Sequence, residues 1–250
     1  MELDKGRVQW IEYDLLTQYS HVFAGTFLRH GGASSGAYFS LNAGNNVGDH
    51  PDAVKVNREL IQKQAQVKNI VYAKQVHGVD IFEITAQNLH KIPEADALVT
   101  KEKQIGLAVT HADCQGAIFY DPVSEVIGVA HAGWKGLCNN IYQTMVDYFS
   151  NTFNSRPEDL IVCISPSLCC DHAEFKEYKE QLPREYWDFQ EKKNYFDLWA
   201  IANKQLLDAK VSTKNIEIVK TCTYKNSKDY FSYRRDKITG RHATIIALKY

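Results

Sequence analysis

Between Ile70 and Val129 the chain passes through a series of short β-branched or apolar runs, NIVYAKQV, VDIFEIT, ADALVT, IGLAVT, AIFYD and EVIGVA, each broken by glycine or a polar turn. Runs of this kind are strands, because β-branched side chains fit a pleated surface and helices need longer periodic stretches. A sheet therefore forms the middle of the protein. Before it, the segment His21 to Leu28 reads as a strand, and Pro51 with Asp52 opens an amphipathic helix to about Val67, burying Val54, Leu60 and Ile61. Between the two, Arg29 enters the glycine-rich loop RHGGASSGAY. After the sheet, a helix follows Trp134 with Leu137, Ile141, Met145 and Phe149 at every fourth position, and LIVCIS at 160–165 returns to strand. Further helices are expected near 173–182 and 197–209, and IEIVKTCT and ATIIALK close the chain as strands. Strands and helices mix without a strict βαβ rhythm, so the expected class is α+β with mixed sheets.

Composition narrows the function. The 250 residues are 44% hydrophobic, ample for a core, and carry no repeat, low-complexity tract or Pro/Ser-rich linker, so one domain over 1–250 is expected. Lysine and arginine total 29 against 30 acidic residues, a net charge of −1, which gives no field for nucleic acid. No apolar stretch is long enough for a bilayer, and MELDKGRVQWIEYDLLTQYS at the start has no uninterrupted apolar signal core. A cytoplasmic protein is expected, with Cys114, Cys138, Cys163, Cys169, Cys170 and Cys222 as reduced thiols. The sequence does not choose between a monomer and a dimer.

Three segments put a metal-competent side chain at the end of an expected strand: Lys74-Gln-Val-His77-Gly, His111-Ala-Asp-Cys114 and Val129-Ala-His131-Ala-Gly-Trp-Lys-Gly136. Two imidazoles and a thiolate are a borderline-soft donor set suited to zinc, and three protein ligands leave a fourth position open, the catalytic arrangement. The plainer reading makes each histidine a turn-capping group and Cys114 a small buried hydrophobe. His111, three residues before Cys114, complicates the choice of ligand.

These segments, with RHGGASSGAYFSLNAGNNVGDHPDAVKVNREL, KQVHGVDI, EADALVT, THADC, VAHAGWKG, CTY and YFSYRRDKITGRHA, make the chain resemble the YfiH-like laccase-domain family, also called multicopper polyphenol oxidases, over nearly its whole length. The resemblance implies a four-layer α/β/β/α fold and one metal ion on His77, Cys114 and His131. It also implies a substrate: purine nucleosides, with adenosine and inosine split with phosphate into free base and ribose 1-phosphate, methylthioadenosine split likewise into free base and its own sugar 1-phosphate, and adenosine also deaminated. Gly116, Lys135 and SPSLCC at 165–170 stand where the family pattern has a proline, an arginine and a glycine-rich stretch. Vicinal Cys169 and Cys170 are poorly placed to chelate one ion together and read as packing.

Such chemistry needs a proton carrier and cations for an anion. Asp113, beside Cys114, is the candidate acid or base. Arg29, Asn42, Lys135 and one of Arg234 or Arg235, which face opposite ways in an extended segment, are the candidate cradle, Lys135 at a helix start. Tyr233, Phe231 and Trp134 are candidate stacking partners, each equally a core aromatic. Three rivals stand beside this reading. One is a copper-dependent, laccase-like polyphenol oxidase, with copper supporting weak oxidase activity in vitro, although nine histidines without a His-x-His pair are a thin supply for several coppers. The others are a Cys-His thiol hydrolase or deamidase using Cys114, as in the cytotoxic necrotizing factor toxins whose fold the family shares, and a zinc-stabilised binding module.

Overall fold

The structure, a computed structural model, describes residues 6–250. Two mixed sheets stack face to face. The five-stranded sheet has the order β1 (Trp10–Ile11), β2 (Val22–Phe27), β13 (His242–Leu248), β6 (Ile105–His111), β3 (Asn69–Tyr72), with only the β3–β6 pair parallel. The six-stranded sheet has the order β12 (Ile216–Ile218), β9 (Ile161–Ile164), β7 (Gln115–Asp121), β8 (Val126–Ala132), β5 (Ala97–Thr100), β4 (Ile81–Glu83), parallel at its two edge pairs and antiparallel between them. A separate ribbon pairs β10 (Gln190–Lys192) with β11 (Tyr195–Phe196).

The expected apolar runs follow from this stacking. Strands covered on both faces read as continuous rather than alternating hydrophobic segments. In β8, Ile127 and Val129 face the inter-sheet core with Leu107, Val109, Ile118 and Ile246, while Val126 and Ala130 face a helical layer. That layer is α3 (Ile141–Phe153) and α5 (Leu198–Asp208), which bury Ile141, Met145, Phe149, Ala202 and Leu206 against the six-stranded sheet. On the opposite side α1 (Pro51–Ala65) lays Ile61 and Ala65 on Phe23, Phe27, Ala108 and Ile245. The result is the α/β/β/α order. No helix among the described residues is long and apolar enough to cross a membrane.

Three local expectations need correction. The helix after Trp134 is two helices, α2 (Trp134–Cys138) and α3, because Asn140 takes a left-handed conformation (φ +57), which asparagine tolerates better than most residues. The four-residue spacing survives the break, and Leu137, Ile141, Met145 and Phe149 are all buried. The helix near 173–182 shrinks to α4 (Tyr178–Gln181), since Glu174 bridges Tyr195, the Phe175 N–H donates to the Asn194 carbonyl, and Phe175 packs in a small cluster with Phe196. Arg234 and Arg235 lie not in an extended segment but in the short helix α6 (Tyr233–Asp236).

Candidate metal centre

The centre is assembled at one end of the stacked sheets. β8 presents His131 as its penultimate residue, the turn from β6 to β7 presents Cys114, and the loop leaving β3 presents His77. Their ligand-capable atoms lie within 4.8 Å of one another. The His77 and His131 rings meet edge to face with centroids 4.9 Å apart. His131 is 3% exposed, Cys114 half-buried and His77 exposed, so the group runs from core to solvent and opens at His77.

The buried carboxylate of Asp96 holds this arrangement. It accepts hydrogen bonds from the backbone N–H groups of Val76 (3.1 Å), His77 (3.0 Å) and Gly78 (2.7 Å), and from His131 Nδ1 at 2.9 Å. A proton on Nδ1 leaves the Nε2 lone pair free for a metal, the outer-shell arrangement that orients ligating histidines. Burial works against ionised Asp96, but the His131 bond and the Gly78 and Val76 N–H groups outweigh it and hold the carboxyl below the ordinary range. Burial likewise raises the Cys114 thiol, yet His131 and then His77 overcome that and bring it down to about 6. His131, despite burial, is lifted to about 9 by Cys114 and Asp96. Elsewhere burial pushes the Cys138 thiol up to about 11, and burial with Cys222 pushes Cys169 up to about 12. A thiolate and two imidazoles suit a single zinc-class ion, so the donor chemistry fits.

This contrast gives an expected result. In metal-free protein, alkylation of Cys114 should rise through about pH 6 and level off by neutrality, whereas an ordinary thiol gains rate through about pH 8.5. Zinc should suppress it. Peptide mapping after brief iodoacetamide treatment, with and without zinc, measures both effects, and rapid labelling in zinc-saturated protein would contradict ligation.

Gly133 sets the spacing. A Cβ there would lie 3.0 Å from His77 Cδ2, 3.3 Å from Cys114 Sγ and 3.6 Å from His131 Cε1, so one methyl group would crowd His77 and Cys114 while making ordinary contact with His131. Its φ of −76° suits any residue, which makes crowding the only penalty. Gly133→Ala should therefore lower zinc affinity about tenfold or more by competition titration while shifting stability by less than about 1 kcal/mol.

The other expected site residues divide. Asp113, left-handed at φ +96, has both carboxylate oxygens engaged, by the Thr223 hydroxyl (2.7 Å) and the Arg234 N–H (2.6 Å), so it pins the Cys114 turn. Asn42 is fully buried and internally bonded. Its Oδ1 accepts from Gly44 and Arg241 N–H groups, and its Nδ2 donates to Asp49 and the Gly44 carbonyl. Arg29 donates to the carbonyls of Phe39 and Ser227 and lies over Phe231. Arg234 reaches the Glu174 carbonyl, while Arg235 is spent on Asp236 and the carbonyls of Thr223, Tyr224 and Tyr230. Lys135 is exposed, but α2 is one short helix of five residues and supplies little of the expected dipole. Phe231 is fully buried, Trp134 packs edge-on to Phe175, and Tyr233 is 51% exposed. His111 bonds Thr244 at 2.7 Å and stands outside the cluster.

Two residues escaped the sequence reading. Asp96 was visible only as an acid directly before a strand that is buried throughout, a position a carboxylate occupies only with partners. Arg241 lies 5.6 Å over Tyr233, close enough to Cys114 and Asp113 to feel their charges, although burial is the larger influence and lowers its pKa. Nothing local in the sequence separates it from Arg234 or Arg235.

Fold and site together define a chain with a His/His/Cys centre at one end of a two-sheet sandwich. It belongs to the multi-copper polyphenol oxidoreductase laccase family, matched by residues 23–249. The purine nucleoside phosphorylase of Haemophilus influenzae is 30% identical over 239 residues, covering 90% of this chain and 94% of its own. The purine nucleoside phosphorylase YlmD of Geobacillus stearothermophilus is 34% identical over 248 residues, covering 91% of this chain and 90% of its own. The crystal structure of Bacillus licheniformis YfiH superposes with a TM-score of 0.86 at 29% identity, covering 93% of this chain and 94% of that one.

Proposed function

We propose that the chain is a zinc-dependent purine nucleoside phosphorylase that splits adenosine, inosine and methylthioadenosine with phosphate and also deaminates adenosine. The observation that carries this reading is the approach of His77, Cys114 and His131 over a buried Asp96, in a chain whose relatives are named purine nucleoside phosphorylases. His77, Cys114 and His131 would hold the ion, which supplies Lewis-acid polarisation when bound.

In phosphorolysis a phosphate oxygen joins C1′ as the bond from C1′ to the purine nitrogen breaks. The electron pair leaves with the base, which takes up a proton, while positive charge gathers on the ribose. Arg241 suits the anion. Its Nη1 is held by the carbonyls of Thr239 and Gly240, and Nε and Nη2 carry no other bond among the described residues. Asn42 places the Arg241 backbone rather than touching phosphate. Lys135, exposed two residues after Gly133, is the second cation. The exposed Tyr233 ring offers a face to the base. In deamination water adds at the purine carbon bearing the amine and ammonia leaves. Asp113 acts here as a positioning group for Cys114, since both its oxygens already accept hydrogen bonds.

Incubation of zinc-loaded protein with adenosine, with and without phosphate, separates the two activities by chromatography. Adenine and ribose 1-phosphate should form only with phosphate, and inosine without it. Absence of adenine, inosine and hypoxanthine in both arms would overturn the reading.

One observation favours a second reading. Cys114, His131 and Asp96 line up as thiolate, imidazole and carboxylate, the order of a thiol nucleophile, with the thiol lowered to about 6. Chelation and nucleophilic attack compete for one sulfur, so an amidase activity that rises when zinc is stripped would favour the thiol hydrolase. The copper oxidase has less support, because Met145, the one methionine among the described residues, is packed in the helix–sheet core rather than at the centre.

A further inference from the structure

Beside the turn that carries Cys114 lies a second group of soft donors that the nucleoside chemistry does not use. The segment leaving β9 and the segment leaving β12 run parallel, with Ser167 and Cys222 as bridge partners. The Ser167 N–H donates to the Thr221 carbonyl, and the Thr223 N–H returns to the Ser167 carbonyl. This ladder faces Cys169 toward Cys222, and a tight turn from Cys169 swings His172 back over both. His172 Nδ1 stands 3.4 Å from Cys169 Sγ and 3.8 Å from Cys222 Sγ, and the three ligand atoms lie within 4.8 Å of one another.

We propose that Cys169, His172 and Cys222 form a second zinc site, with its fourth position open to solvent. Ion-to-sulfur and ion-to-nitrogen bonds of about 2.3 and 2.0–2.1 Å at tetrahedral angles put sulfur and nitrogen about 3.6 Å apart, a value that the two observed spans bracket. The surroundings suit ligation. The Cys169 N–H points at Cys222 Sγ (3.4 Å), and the His172 ring is stacked on Tyr224 at 3.9 Å, which fixes its plane. Both sulfurs are buried and the imidazole is half-buried, so the ion is reached from one side. Cys170 stands outside the group, which answers the objection to a vicinal pair: the partner of Cys169 is Cys222, far along the chain. Cys169 is buried, as a packing role requires, and under this proposal it is a ligand as well.

The site would act as a staple. Leu168, next to Cys169, donates its N–H to the Asp113 carbonyl, and Thr223, next to Cys222, donates its hydroxyl to the Asp113 carboxylate. An ion joining Cys169 to Cys222 ties together the two segments that hold the Asp113–Cys114 turn.

The test counts metal and does not depend on activity. Wild type, Cys114→Ser and the pair Cys169→Ser with Cys222→Ser are purified under reducing conditions without added metal, assayed for zinc by mass spectrometry, and titrated with cobalt. The expected content is two zinc ions in wild type and one in each variant. Cobalt-loaded Cys114→Ser should keep a thiolate-to-cobalt charge-transfer band that vanishes when Cys169→Ser and Cys222→Ser are added to it. If the serine pair fails to fold, His172→Gln in the Cys114→Ser background should weaken cobalt binding tenfold or more with both thiols in place. Folded Cys114→Ser protein that binds neither zinc nor cobalt, copper in place of zinc there, or a Cys169–Cys222 disulfide under reducing conditions would overturn the proposal. Loss of zinc from the first centre alone would leave it standing.

Discussion

Asp96→Ala should strip zinc from the first centre and weaken the fold at the same time, although Asp96 is not itself a proposed ligand. The carboxylate is fully buried and accepts four hydrogen bonds, three from the consecutive N–H groups of Val76, His77 and Gly78. Alanine leaves those donors without a partner in a loop where His77 already sits at φ +63, a conformation that costs energy unless its surroundings enforce it. It also frees His131 to adopt either tautomer. Breaking one partner of a buried ionic pair typically costs about 3–5 kcal/mol, large against a total stability of about 5–15. Loss of an outer-shell carboxylate typically costs about 10–100-fold in metal affinity, and disorder of the His77 loop should add to that. Asp96→Asn keeps the volume but turns an amide N–H toward backbone donors, so it should lose less stability and nearly as much zinc. Urea unfolding and zinc competition on the two variants read both quantities. Zinc affinity unchanged in Asp96→Ala would remove Asp96 from the account.

Cys114→Ser is expected to lower phosphorolysis and deamination together by more than about a hundredfold, with stability changed by no more than about 1 kcal/mol. The substitution leaves the bond from His131 to Asp96 untouched and the turn still pinned through Asp113. What it removes is the sulfur that the two histidines hold as a thiolate near neutrality. A serine hydroxyl stays protonated there and is a harder, weaker donor for a borderline-soft ion. Rates and zinc content measured on one preparation decide the matter. Wild-type rates with serine at this position would contradict ligation and nucleophilic catalysis alike, whereas lost activity with zinc retained at the first centre would favour the thiol nucleophile.

How far the sequence reveals this molecule depends on whether a residue's partners are near it in the chain. β6, β7 and β8 are legible because strands covered on both faces must be apolar along their whole length. His77, Cys114 and His131 are legible alike as metal-competent groups at expected strand ends, although His77 lies in the loop beyond β3 rather than at the strand's end. Asp96 is not legible, since its partners lie 19 and 35 positions away at His77 and His131 and only the paired sheets bring them together. Asn42 misleads for the same reason: a polar residue just beyond the glycine-rich loop looks free for a ligand, but its bonds close on Gly44, Asp49 and Arg241. Arg235 looks available beside Arg234 until the carbonyls of Thr223, Tyr224 and Tyr230 converge on it. The shortened helix at α4 fails through tertiary contacts with β11 that outweigh local propensity. Cys169 pairs across 53 positions, beyond any local motif.

Anomalous diffraction at the zinc edge, from crystals grown with zinc, tests the first centre most directly. A peak should stand about 2.3 Å from Cys114 Sγ and about 2.0–2.1 Å from one nitrogen each of His77 and His131. Zinc-saturated crystals with no peak between those three side chains, or with the Cys114 sulfur turned away from the imidazoles, would contradict the account.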